Sequence, residues 1–113
     1  MAPVIQAVVD AVAGFFAKHE VASLELPTGW FGRPYDNLHH LTEAVPFGNH
    51  VMIRLDGTQV LTVEATGTRV EGRVLRIEIR GGTWVWTEYG GSRTHTEALG
   101  AGAVQFHAPW ARS

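Results

Sequence analysis

The pentapeptide "RTHTE", Arg93 to Glu97, sets a cation, an imidazole and a carboxylate two residues apart. Alternate side chains of an extended strand share a face, so Arg93, His95 and Glu97 project together if the segment is a strand. If Gly100, Ala101 and Gly102 then form a three-residue turn, with Thr96, Ala98, Val104 and Phe106 on the apolar side, His95 comes to face His107 and Glu97 to face Gln105. Two imidazoles and a carboxylate so gathered suit a divalent metal or acid-base chemistry, and His95, Glu97 and His107 are the expected metal ligands. The competing reading is the wet outer face of an edge hairpin, where polar alternation carries no chemistry.

A second constellation is "GWFGRPYDNLHHL", Gly29 to Leu41. As a ligand site, Trp30, Phe31 and Tyr35 form apolar walls, Arg33 clamps an anionic group, and His39 or His40 moves a proton. As a structural loop, the same aromatics are buried anchors that pin a long connection, with Asp36 and Asn37 bonding to nearby backbone. Adjacent histidines in a strand point to opposite faces, so His39 and His40 do not share a metal. Trp84 and Trp86, two apart, make a stripe that either stacks on sugar rings or packs in the core, and core packing is the expected role. Arg76, Glu78 and Arg80, with Glu64 and Arg54, read as a solvated charge ladder on the far face.

Several chemistries have no residues to support them. The chain contains no cysteine, which removes disulfides, thiolate zinc sites and thiol catalysis. There is no glycine-rich phosphate loop, dinucleotide fingerprint, nucleophile elbow or zinc-protease helix motif. Ser23, Ser92 and Ser113 stand in no activated setting. Nine basic residues against eleven acidic ones give a net charge of −2, so no broad positive field exists to hold nucleic acid or an anionic membrane. No catalytic residue and no cofactor is assigned.

The elements that would position these residues begin with one helix over residues 3–20. Pro3 suits its first turn, and Lys18 and His19 suit its C-terminal end. Val4, Val8, Ala11, Val12 and Phe15 share a face that Ile5, Val9 and Phe16 widen, which points to burial on more than one side, by a sheet or by a second copy of the chain. The apolar run is interrupted by Asp10 and is shorter than the roughly 20 residues of a membrane span, and a cytoplasmic location is expected. Period-two alternation follows: "VASLELP" as a strand at or near an edge, a hairpin of 51–55 with 61–65 about Asp56, Gly57 and Thr58, a second hairpin turning at Gly81-Gly82, and the third about Gly100.

With 113 residues, the chain is expected to form a single domain over 1–113 that buries roughly 65% of its unfolded surface. The expected fold is α+β, one N-terminal helix packed on a strongly curved antiparallel meander or half-barrel of six to eight strands. The expected function is a non-enzymatic binding or interaction module that self-associates as a homodimer through the helix or a sheet edge. The alternatives are a histidine-based enzyme or metal protein at His95, Glu97 and His107, and a small-molecule carrier with its pocket at Trp30, Phe31 and Tyr35.

Overall fold

The computed structural model describes residues 3–31, 37–87 and 93–109. Helix α1 (Pro3–His19) turns its stripe of Ile5, Val8, Val12, Phe15 and Phe16 fully inward. Its outward positions, Gln6, Ala7, Asp10, Ala13, Gly14, Ala17 and Lys18, are polar or small. The wide apolar girth is therefore covered within one chain, with Val4, Val9 and Ala11 packed partly against the same core. The helix stops at Glu20, which enters the left-handed region (φ 70°) while its N–H still bonds the Phe16 carbonyl at 2.8 Å.

Among the described residues eight antiparallel strands follow: β1 (Val21–Leu26), β2 (Gly29–Trp30), β3 (His39–Phe47), β4 (His50–Leu55), β5 (Gln59–Glu71), β6 (Val74–Thr87), β7 (Thr94–Leu99) and β8 (Gly102–His107). Pairings run β1–β3–β4–β5–β6–β8 and back to β1, so six strands form a ring-like, strongly curved sheet, with β2 beside β1 and β7 beside β6. Leu24, Ile53, Leu55, Leu61, Val63, Leu75, Ile77, Val104 and Phe106 fill its inner face. The helix lies across that face, with Phe16 edge-on to Phe106 at 5.3 Å. The sequence expectation of one helix on a curved antiparallel sheet is met. Strand β1 is not an edge, since it pairs with β2, β3 and β8, and Pro27 stands just beyond its end.

The first hairpin forms as the alternation requires, with Ile53 opposite Leu61, Val51 opposite Val63 and a turn at Asp56, Gly57 and Thr58. The second does not. Gly81 and Gly82 lie inside β6, and the turn that joins β5 to β6 is Gly72-Arg73, between Glu71 and Val74. A β-carbon on Gly82 would stand 2.3 Å from the Thr62 carbonyl oxygen. Glycine serves here for close backbone approach, and not for reversal.

The third expected hairpin fails for the same reason. Strands β7 and β8 do not pair with each other; both pair with β6, in unbroken register from Gly82↔Leu99 to Ile79↔Gly102. Gly100 and Ala101 therefore mark a kink in one long ladder at the level where β5 also bulges, between Glu64 and Gly67. Three neighbouring strands bend together at a band of glycines, which gives the sheet its curvature.

Candidate functional site

The kink separates the residues first expected to hold a metal. His95 stands opposite Trp86, whereas His107 stands opposite Val74 of β6 and Ser23 of β1, near the far end of the bent ladder. The inward side of β7 carries Leu99, so His95 and Glu97 share its inner face, whereas Val104 and Phe106 take the inner face of β8 and send His107 outward. The His95–His107 pairing is thus corrected on both strand partner and face. Among the described residues, no three His, Asp or Glu side chains are grouped to hold a metal ion.

On the inner face, Phe31 packs on Trp84 and Trp86 with ring centres 5.1 and 5.2 Å away, and His95 stacks on Trp86 at 4.3 Å. Trp84 is fully buried, as core packing requires, and its indole N–H has no acceptor among the described residues. Glu97 accepts a hydrogen bond from the Thr28 hydroxyl at 3.3 Å.

His39 is buried beside this cluster. Its Nδ1 lies 2.7 Å from an Asp56 carboxylate oxygen and its Nε2 lies 2.7 Å from Asn37 Oδ1. The Asn37 amide in turn donates to the Leu24 carbonyl (2.8 Å) and accepts from the Leu24 N–H (3.2 Å), so it completes the β1 backbone as a strand would. With both ring nitrogens engaged, His39 has none to offer a ligand, and its role is to tie β1, β3 and the β4–β5 turn together. His40 points the other way and is exposed, as adjacent strand residues must. Arg33 and Tyr35 lie outside the described residues. Trp30 is 53% exposed and is no buried anchor; Phe31, partly buried against the core, pins the segment instead.

The outer face holds a different assembly. Register places Trp30 beside Glu25, Glu25 beside Gln105, Gln105 beside Arg76, and Arg76 beside Arg69. One transverse rung thus crosses β2, β1, β8, β6 and β5, about 19 Å at the usual strand spacing. His107 stands next to it, its Nε2 2.9 Å from Glu25 Oε1 and its ring 4.5 Å from that of Trp30. Gln105 Nε2 donates to the same Glu25 oxygen at 3.2 Å. Arg76 donates to both oxygens of Glu78, at 2.6 and 3.5 Å. That hydrogen bonding holds the Glu78 carboxyl below its ordinary range and raises the Arg76 guanidinium above its own. Arg69 pairs with Glu71 at 3.0 Å. Beside the rung lies an open cleft of about 220 Å³ lined by Arg69, Glu71, Val74, Arg76, Gln105 and His107.

No family model, curated protein or solved structure matches the chain. Function must therefore be read from the geometry. Of the rung, the sequence singled out Trp30 as a pocket wall or anchor, Arg76 as part of a solvated charge ladder and Gln105 as the partner of Glu97, and beside it His107 with a different partner. The pairing of Glu25 with Gln105 escaped notice because it joins strands 80 residues apart in the chain, although alternation already marked both as outward-facing.

Proposed function

We propose that the protein is a non-enzymatic binding module whose ligand face is the outer rung from Trp30 to Arg69. The observation that carries this reading is the rung itself: five side chains able to stack or hydrogen-bond, aligned across five strands and bordered by a cleft. An ordinary solvated face would not need a half-exposed tryptophan against a histidine, and polar groups convergent on a concavity are the usual form of a recognition site. Self-association belongs to the proposal through β7, whose outer edge is unpaired among the described residues; α1, with its apolar stripe covered, gives it no support.

The test separates recognition from stability. Replacing Trp30 or Gln105 with alanine should cost on the order of 1 kcal/mol or less, a melting shift of roughly 4–8 °C at most, because both side chains stand on the outer face. A loss as large as the roughly 3–5 kcal/mol expected for Trp84→Ala would make the rung a structural brace and end the proposal.

A further inference from the structure

We propose that the ligand of this face is a neutral, hydroxyl-rich ring, a saccharide or cyclic polyol; the inference rests on the outer rung being the binding surface. Charge is the first reason. The guanidinium groups of the cleft are already matched to carboxylates, Arg76 to Glu78 and Arg69 to Glu71, while His107 is matched to Glu25. An anionic ligand would find the positive charge of each arginine already balanced by a carboxylate. A neutral ligand needs no unbalanced charge.

The second reason is the hydrogen-bonding capacity that remains. Glu25 uses only Oε1 in its contacts with His107 and Gln105, leaving Oε2 to accept. Gln105 donates through Nε2 and keeps its carbonyl oxygen. Arg76 spends two N–H groups of five on Glu78. Along one rung, acceptors on Glu25 and Gln105 therefore stand beside donors on Arg76, all on planar side chains. A hydroxyl both donates and accepts, and neighbouring hydroxyls on a ring meet such a set with every polar group satisfied. Trp30 completes the match. Its exposed indole adjoins Glu25 and His107 and offers an apolar plane to the C–H face of a ring. The cleft of about 220 Å³, smaller than the roughly 300–1,000 Å³ of drug-sized sites, has room for a single ring, and Glu25 and Trp30 adjoin it through Gln105 and His107 without lining it.

Titrating isotope-labelled protein with D-glucose, D-galactose, cellobiose and myo-inositol at millimolar concentrations, with inorganic phosphate as the anionic probe, tests the inference by NMR. The expected result is a saturable shift of the Trp30 indole N–H and the Gln105 side-chain amide with at least one of the polyols. That binding should weaken on the order of tenfold in Trp30→Ala, a loss of about 1.4 kcal/mol, and Gln105→Ala should weaken it as well. Phosphate should leave both signals in place. If phosphate moves the signals of Arg69 and Arg76 and no polyol moves anything, the ligand class is overturned while the binding face stands. If neither moves the rung, or if a polyol shifts only residues elsewhere, the ligand class and the binding face fall together.

Discussion

Asn37 shows how much a single polar side chain can hold. It is 1% exposed and gives the β1 backbone both a donor and an acceptor at Leu24 while also meeting His39. Removing it leaves the Leu24 N–H and an imidazole nitrogen without partners, each at about 1–3 kcal/mol, while the Leu24 carbonyl keeps its bond from the Phe31 N–H at 3.0 Å. Asn37→Ala should therefore destabilise the fold by roughly 3 kcal/mol, measured by chemical denaturation, and a neutral effect would mean the network is dispensable. Glu78 makes a subtler case. Its carboxyl is held low by the Arg76 hydrogen bonds, so its contribution is present above the unfolded carboxylate range and fades as pH falls through the lowered folded value. Melts of Glu78→Gln against the parent should differ near neutral pH and converge in acid. A gap that widened in acid would contradict the pairing. The residue scale was partly legible in advance. Opposite faces for His39 and His40, and an outward-facing set of Arg76, Glu78, Arg80 and Glu64, follow from alternation alone, whereas the pairs Arg80–Glu64 and Arg54–Glu43 depend on the strand register. The burial of His39 does not, because its partners Asp56 and Asn37 arrive from another turn and from the end of a loop.

At the scale of elements, the same glycines explain both the successes and the failures of sequence reading. The hairpin of β4 and β5 was legible because Asp56 and Gly57 adopt left-handed backbone at the turn (φ 53° and 78°) between two runs of matching alternation. At Gly81-Gly82 the inward positions change phase, from Ile77 and Ile79 to Trp84, and at Gly100–Gly102 they change from Leu99 to Val104. A tight turn and a kink in a continuous strand both produce such a phase change, so the pattern cannot tell them apart. Only the pairing of both segments with β6 decides for the kink. Gly82→Ala should consequently cost about 1–3 kcal/mol or more by forcing the β5 and β6 backbones apart, whereas Gly67→Ala, whose β-carbon would come no nearer than 4.0 Å to Glu78 Cγ, should cost far less. Comparable losses at the two sites would contradict the account of the bend.

For the whole molecule, the curved sheet divides labour between its faces. The inner face and α1 hold the core, and among the described residues no helix is long and apolar enough to cross a membrane. The outer rung is free to meet a ligand because none of its members belongs to the core. Self-association is tested by light scattering on size-fractionated protein: a mass of two chains that falls to one in Thr96→Pro, which blocks a backbone donor on β7, supports an edge-paired dimer, and a one-chain mass at every concentration removes it. The rung was the least legible feature in the sequence, since it exists only once β8 has closed between β1 and β6.

The most direct measurement of the central claim is a map of NMR shift changes when labelled protein meets a mixture of small polar compounds, sugars, nucleosides, amino acids and phosphate together. The perturbed residues are expected to cluster on the outer face, at Trp30, Glu25, Gln105, Arg76, Arg69 and His107. Shifts confined to the inner aromatic cluster of Phe31, Trp86 and His95, or no shifts at all, would contradict it.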